Sequence, residues 1–543
     1  MGILHGYLLD GSGSNLWTQS IARALCRLGE TVHLVCQEPH PERFDFVARA
    51  VDYDASLRPR VLLDRRIDYP GRCILHKPAL GGLLPVFVGD RYEEHDRVVP
   101  MPDLSDADIE DYVERNARAL RRVVEENGVG VVLANHAVLM PTVAQRVAEA
   151  RLLPFAIMPH GSAIEYVVKV DARYHRLAAA AFEGARRVFA VSPEIRDRLL
   201  GLFPGQRDLE GKTVPLGLGV DTELFSPVPR RSRPEEIRRL VETLRGAGAG
   251  RSPALVRDLR RRLRGSMSRA ELLEAQAAST SYEGRLPDAD CARKLSAIDW
   301  NNDAILIFVG RLIAVKGVHL LPVVMPSILE RLPAARLLVV GHGPLRETLE
   351  SLVWALESGE AELLRNILRW GELLEGRGRR GPFVHAQRYI EWLEARGALG
   401  GYLRAARVRR LSERVVFTGY LDHRRLRHLF PCGDVALFPS LVAEAGPLVF
   451  LEAMASGILP VGVAHGGIAA SIDSVAPRLP GAVTAAMRLS ADPGRTAADI
   501  VARVPRAVGL ASRHGAALRR AAVERHDWES VAAAMLEALR GLR

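Results

Sequence analysis

The chain has 543 residues, 48% hydrophobic and 25% charged, which is ordinary for a globular protein but too long for one core, so two or three domains are expected. The formal net charge of +10 is unevenly placed: between Arg230 and Arg264 twelve arginines face four acids, and without that segment the chain is close to neutral, so nucleic acid is not an expected partner. Five cysteines (26, 36, 73, 291 and 432) are scattered and never spaced as a metal knuckle or redox pair, which argues against a disulfide framework and for reduced thiols in a cytoplasmic setting.

The N-terminal "MGILHGYLLDG" has no basic residues before its apolar ones and is not expected to act as a secretion signal. "ILHGYLL" (3–9) reads as a strand, followed by the glycine loop "DGSGSN" (10–15). Leu16, Trp17, Ile21, Leu25 and Leu28 then recur at helical spacing up to Gly29, a natural C-terminal stop. "TVHLVCQ" (31–37) is the next strand, and strand–loop–helix–strand is how a doubly wound parallel sheet opens. Further strand units are expected at "VGVVLANH" (129–136), "FAIMPHG" (155–161) and "RVFAVS" (187–192).

A second series starts with "DAILIFVGR" (303–311), a helix running from Leu320 to Leu332, and "ARLLVVGHG" (335–343). It continues through "RVVFTGY" (414–420), "DVALFPS" (434–440) and "ILPVGVA" (458–464). The longest uncharged run, 453–472, is broken by Gly457, Pro460, Gly462, His465, Gly466 and Gly467 and reads as helix, turn and strand, not as a membrane span. The expected fold is therefore α/β, with two Rossmann-like doubly wound domains facing a cleft and a switch near 205–215. The predicted limits are 1–210 for the N-terminal domain, 211–515 for the C-terminal domain and 516–543 for a terminal helix returning to the first domain. Segments at about 230–300 and 350–410 are too long for connecting loops and are expected to be helical insertions.

Ligands of such sheets sit at the carboxyl ends of the strands. "FVGRLIAVKGVHLL" places Arg311 and Lys316 just past one of those ends, with a helix N-terminus following. Two cations and free helix amides suit a diphosphate, whose charge grows as it leaves. Two solvated cations are the plain alternative, although with only five lysines among 74 basic residues a lysine here stands out. The glycine turn "VGHGP", with Gly341 and Gly343, lets backbone approach a flat ligand such as a base. "MPHGSAIEY" puts His160 at a strand end in the first domain, and Gly11 and Gly13 could cradle a phosphate or sugar on backbone amides, or form an ordinary turn. In "AEAGPLVFLEAMASG" (443–457) Glu444 precedes a helix and Glu452 lies more than a turn inside it, with Pro447 placed near its first position. Two carboxylates so spaced could reach the hydroxyls of one ligand, though such a spacing also arises by chance.

Taken in order, "DGSGSNLWTQSIARALCRLGETVHLV", "PHGSAIEY", "VPLGLGVDTELFSP", "FVGRLIAVKGVHLL", "VVGHGP", "VVFTGYLDHRRLRHLFPCGDVALFPS" and "EAGPLVFLEAMASGILPV" resemble the retaining glycosyltransferases of the GT-B fold, the family 4-like enzymes called glycosyl transferases group 1. The resemblance implies a nucleotide-diphosphate-sugar donor whose diphosphate Arg311 and Lys316 would hold. Glu452 would take the ribose hydroxyls, and Glu444 the transferred sugar, with backbone at Gly446, Leu448 and Val449 nearby. His160 would reach the sugar from the other domain, and Gly11 and Gly13 would line the first domain's wall. "RHDWESVAAAMLEAL" (525–539) looks like the terminal helix that crosses back. Transfer would retain anomeric configuration without a metal or other cofactor, the two cations doing what a metal does in other families. Two departures bear on sugar specificity: Gly446 and Pro447 stand where the family usually has an aromatic residue and glycine, and Ala470 stands where it often has glutamate.

The acceptor is open among a sugar, a small molecule and a lipid-linked molecule. Other readings are a sugar-nucleotide epimerase on the same fold, a phosphorylase (disfavoured by the scarcity of lysine) and a non-catalytic sugar-nucleotide-binding or scaffold protein. Arg230–Arg264 would either dock on an anionic membrane leaflet or an acidic partner, or form a solvated surface. The expected location is cytoplasmic, with peripheral membrane contact as the alternative.

Overall fold

The computed structural model describes residues 1–9, 11–87, 95–279, 285–376 and 381–542; Asp10 of the glycine loop and part of "EGRGRRGP" lie outside the described residues. The chain divides into two compact units, Met1–Gly219 with His526–Arg543, and Val220–Arg525.

The first unit is built on β1 (Gly2–Leu4), β2 (Thr31–Val35), β3 (Val47–Tyr53), β4 (Pro59–Asp64) and β5 (Arg72–Lys77). A small pair, β6 (Leu83–Val86) and β7 (Arg97–Pro100), stands apart from this sheet. The main sheet continues with β8 (Val132–Asn135), β9 (Phe155–Met158), β10 (Arg187–Ala190) and β11 (Thr213–Pro215). Its order is β11-β10-β9-β8-β1-β2-β5-β3-β4, and only β4 runs antiparallel to its neighbour. The central strands are continuous buried apolar runs because helices cover both faces of a parallel sheet. The strand order reverses between β1 and β8, which is the switch point of this unit.

Here β1 is shorter than the expected 3–9. His5 follows it directly, and Gly6 takes φ +77°, a conformation that ends the strand. The helix Gly13–Arg27 begins on Ser12, whose Oγ accepts from Asn15 N at 3.3 Å. At the other end of the chain the last helix is Trp528–Arg540, and the segment before it belongs to one long helix, Thr496–His526, so a helix start at 516 is replaced by a helix break at Asp527. This last helix packs on Gly13–Arg27, with the Trp17 and Trp528 rings edge to face at 6.4 Å. His526 Nδ1 lies 2.9 Å from Leu218 O.

The second unit contains β12 (Ala304–Val309), β13 (Ala335–Val340), β14 (Val415–Gly419), β15 (Val435–Phe438), β16 (Leu459–Val463) and β17 (Arg488–Leu489). All pair in parallel, in the order β14-β13-β12-β15-β16-β17. Counted from β12 this is 3-2-1-4-5-6, the dinucleotide-fold order, with its switch point between β12 and β15.

Both insertions are helical. Arg233–Leu244, Pro253–Arg262, Arg269–Ala277 and Cys291–Ser296 occupy the first; Arg346–Ser358, Ala361–Trp370, Val384–Glu394 and Leu399–Val408 occupy the second. Much of the arginine charge in the first is used internally. Arg230 and Arg233 pair with Asp434, and Arg238 and Arg239 with Glu235 and Glu236. Arg261 and Arg262 pair with Asp258. Arg251 is fully enclosed: it holds Glu350 through Nη2 at 2.6 Å, Glu347 at 2.9 Å and the carbonyl of Ser279 at 2.5 Å. No helix among the described residues is long and apolar enough to cross a membrane.

Candidate active site

In the second unit two loops leave the sheet side by side at the switch point. After β12 come Gly310, Arg311 and a short 3-10 turn, Ala314–Lys316, closed by Gly317 at φ +65°. A Cβ on Gly317 would lie 1.9 Å from the carbonyl oxygen of Pro439, so only glycine lets this turn sit against the loop after β15. The loops are tied by Leu441 N donating to Val315 O at 2.8 Å. Across this junction Lys316 Nζ forms an ion pair with Glu444 Oε2. Both side chains keep some exposure, 30% and 15%, so the pair is reachable from solvent. Arg311 is half-buried on the same loop.

Glu444 is held from behind by the turn His465–Gly467. Gly467 N donates to Glu444 O at 2.6 Å, and a Cβ on Gly467 would lie 2.3 Å from Ala445 O. His465 Nε2 lies 3.0 Å from Ser440 O.

The helix Leu448–Ala455 starts one residue later than expected. Pro447 is its N-cap and Leu448 its first residue, because Pro447 takes an extended ψ of 113°. The N–H groups of Leu448 and Val449 precede the first helical bond, from Phe450 N to Pro447 O at 3.1 Å, and so lie at the positive end of the helix beside Gly446. Glu452 is the fifth residue of this helix and its side chain is 6% exposed. Its Oε1 is 2.9 Å from Nε2 of His423, while Oε2 is buried without a hydrogen-bond partner among the described residues. A buried carboxylate oxygen left open is costly, and a ligand hydroxyl would satisfy it. Sequence reasoning missed His423. It begins the helix His423–Leu429 after β14, which two strands separate from β15, and no spacing in the chain ties it to Glu452.

Gly341 and Gly343 have φ +144° and +154°. A Cβ at Gly341 would lie 1.9 Å from Gly310 O, and one at Gly343 2.6 Å from Leu312 O. Their freedom is thus required by the neighbouring βα loop; Leu312 N donates to His342 O at 2.8 Å across the same contact.

In the first unit the residues after β1, β8 and β9 gather at that unit's own switch point. His5 stacks on His136 at 5.5 Å, and His136 lies 5.0 Å from His160, whose ring meets Trp17 edge to face at 5.6 Å. His5 is tied into a network: Nε2 to Asn15 Oδ1 at 3.1 Å, Nδ1 to Thr18 Oγ1 at 3.1 Å, and Asn135 Nδ2 donating to Thr18 Oγ1 at 2.7 Å. Both nitrogens of His136, Nε2 of His160, Oδ1 of Asn135 and Nε1 of Trp17 are buried without partners among the described residues. Burial holds His5 at about 4 and His160 at about 3, and pushes His136 far below the ordinary imidazole value, so all three are neutral near pH 7. Only His160 of this cluster stood out in the sequence. Gly11 takes φ +102°, a glycine conformation, whereas Gly13 begins the helix with open space around it.

Among the described residues no three His, Cys, Asp or Glu side chains gather as metal ligands. The second unit thus offers cations, free helix amides and an open carboxylate at one switch point, and the first an uncharged polar cluster at the other.

Known proteins resemble this chain in sequence or in fold. Two family models described as Glycosyl transferases group 1 match residues 296–362 and 395–492, the β12–β13 and β14–β17 regions. A curated relative, an uncharacterized glycosyltransferase of Methanocaldococcus jannaschii, is 26% identical over 168 residues; the match covers 31% of this chain and 29% of the relative's own length. Among solved structures, sucrose-phosphate synthase from Thermosynechococcus elongatus is similar over 100% of this chain and 98% of its own, with TM-score 0.55 and 17% identity. The catalytic domain of starch synthase IV from Arabidopsis thaliana, bound to ADP and acarbose, is similar over 99% and 97%, with TM-score 0.54 and 14% identity. Anabaena HepE in complex with UDP-glucose is similar over 100% of both chains, with TM-score 0.52 and 14% identity. The fold is that of the GT-B glycosyltransferases, two Rossmann-like units with parallel sheets.

Proposed function

We propose that the protein is a retaining glycosyltransferase that moves a hexosyl group from a nucleotide-diphosphate-sugar to an acceptor hydroxyl. The observation that carries this reading is the grouping at the switch point of the second unit: Lys316 paired with Glu444, Arg311 on the same loop, and Glu452 with one oxygen open. The matching Glycosyl transferases group 1 models and the nucleotide- and nucleotide-sugar-bound relatives support it.

In this reading Arg311, Lys316 and the amides of Leu448 and Val449 take the diphosphate, with Gly446 and the turn of Gly341 and Gly343 beside the nucleotide. Glu452 accepts hydrogen bonds from ribose hydroxyls through Oε2. Glu444, freed from part of its contact with Lys316 when phosphate arrives, binds the transferred sugar. The bond from the anomeric carbon to the phosphate oxygen breaks while the bond to the acceptor oxygen forms on the same face. The acceptor's proton passes to the leaving phosphate oxygen, so the step needs no protein base and no cofactor. The two cations stabilise the charge that develops on the leaving group.

His160 and the glycine loop at Gly11 and Gly13 belong to the acceptor side in this reading. The histidines there are neutral, which suits an uncharged, hydroxyl-rich acceptor or acceptor headgroup. Docking on an anionic leaflet would fall to Arg231, Arg245, Arg257, Arg260 and Arg264, since the other arginines of the segment are engaged by acids of the protein. Cosedimentation with anionic against neutral vesicles tests it, and binding that ignores lipid charge removes it.

The decisive experiment is a thermal-shift panel of UDP-, GDP- and ADP-glucose on the wild type and on Lys316→Ala. A ligand present at about 100 times its dissociation constant stabilises the native state by roughly 2.7 kcal/mol. The reading expects one nucleotide class to stabilise the wild type and to lose that effect in the variant. Equal shifts in both proteins would reject the diphosphate site.

A further inference from the structure

The second insertion reaches back to the loop that carries Arg311 and Lys316. Between the helices Ala361–Trp370 and Val384–Glu394, Gly371 and residues 381–383 lie against each other. Gly371 turns at φ +47°, Glu372 N donates to Gly381 O at 2.8 Å, and Phe383 N donates to Leu368 O at 2.8 Å. A Cβ on Gly371 would lie 2.3 Å from Gly381 O, so the two stretches are pressed together.

Two side chains project from this part of the insertion onto the phosphate turn. Glu375, 8% exposed, places Oε2 3.2 Å from Ala314 N and accepts its hydrogen bond. Phe383 stacks on His319 at 3.9 Å with the rings 14° apart, and both are buried. Ala314 opens the 3-10 turn that ends in Lys316, and His319 is the residue before the helix Leu320–Arg331. The insertion thus holds the turn at its start and just beyond its end. The turn's own bonds run from Lys316 N to Ile313 O and from Gly317 N to Ala314 O, and the neighbouring loop adds one from Leu441 N to Val315 O.

We propose that Glu375 is a positioning residue for the phosphate end of the site: by accepting from Ala314 N it fixes the turn from which Lys316 projects. This rests on the reading that Arg311 and Lys316 bind a diphosphate. Ala314 opens the turn that ends in Lys316, so the acceptor that fixes its N–H also fixes where that turn stands.

The test uses the full-length chain and calorimetric titration with uridine, guanosine and adenosine and their diphosphates. The wild type is compared with Glu375→Ala and Glu375→Gln, with Glu375→Asp measured if the alanine variant fails to fold. We expect Glu375→Ala to bind the diphosphate on the order of tenfold more weakly, the loss of one hydrogen bond to a charged group, with nucleoside affinity unchanged. Glu375→Gln, whose amide oxygen still accepts from Ala314 N, is expected to bind within about threefold of the wild type. Glu375→Asp, too short to reach, should show the same split as alanine. Diphosphate and nucleoside weakened equally, no weakening at all, or tighter binding by both Ala and Gln would each overturn the assignment. A wild type that binds none of the three diphosphates would instead reject the diphosphate reading on which the assignment rests.

Discussion

His423 Nε2 and Glu452 Oε1 meet at 2.9 Å, which fixes the carboxylate so that its second oxygen stays buried and open. This geometry separates two roles that one side chain usually mixes. Glu452→Gln keeps a hydrogen-bonding group of the same size but cannot offer a charged acceptor to a ribose. It should lower nucleoside affinity by about 1–2 kcal/mol while leaving the fold intact. His423→Ala should act the other way round. It strands a buried carboxylate and should lower the stability of the second unit by about 1–3 kcal/mol, read by denaturant unfolding, with part of that loss recovered when nucleoside is added.

Lys316 and Glu444 are each partly exposed, so their pair contributes little to folding. Lys316→Ala should leave the unfolding midpoint almost unchanged while weakening diphosphate binding by about 1.5–3 kcal/mol, the range for a charge-assisted hydrogen bond. Glu444→Gln should leave diphosphate affinity near that of the wild type and lower turnover with a nucleotide-sugar. Steady-state kinetics with the donor found by thermal shift checks both.

The first unit should be the more acid-labile, since burial lowers five of its histidines, against His319 and His385 among the described residues of the second. Burial lowers His5 and His33 to about 4 and His76 and His160 to about 3, against 6.5 for a free imidazole. In each case the unfolded chain takes up a proton that the folded unit refuses. Stability from these groups is therefore complete above about pH 6.5 and declines as pH falls toward 4, by up to about 1.4 kcal/mol per pH unit for each histidine that titrates. Melting curves from pH 7.5 to 4.5 should show that decline. His76→Gln, away from the site, should flatten the slope by about one histidine's share while lowering stability at pH 7.5 through the lost 2.9 Å contact with Tyr53.

Gly219 lies under the indole of Trp528: a Cβ there would come within 2.2 Å of the ring. Gly219→Ala should displace the terminal helix and cost about 1–3 kcal/mol. The change should be visible in tryptophan fluorescence, because Trp528 also packs against Trp17.

The buried strands were legible because a parallel sheet covered on both faces forces continuous apolar runs, as in "AILIFV" and "ARLLVV". The stretch from β3 to β7 was not, because it lacks that pattern: β4 is an exposed antiparallel edge strand that opens with a proline. Arg311 and Lys316 could be named because they follow a strand end and Glu444 because it precedes a helix start, while Glu452, inside that helix, was named from its motif. His423, Glu375 and His136 were not named. His423 and Glu375 are brought in by strand order or by an insertion and nothing local marks them, whereas His136 stands just past its strand end much as His160 does past the next and was passed over. The glycines of "VGHGP" stood out as a turn, but the loop contact that requires them is visible only in three dimensions.

The first unit takes its opening residues from the start of the chain and its closing helix from the very end, with roughly 300 residues of the second unit threaded between. On a ribosome adding about 5–20 residues per second, some 15–60 s would pass between completion of the first sheet and the arrival of the residues that seal it. During that interval the surface that later receives Trp528 and its neighbours, Trp17 among them, has no cover of its own. In that interval the nascent first unit leaves apolar surface exposed, whereas the second unit, continuous in sequence, needs no later segment to complete it. Truncations near the C-terminus should therefore cripple the beginning of the protein, not its end.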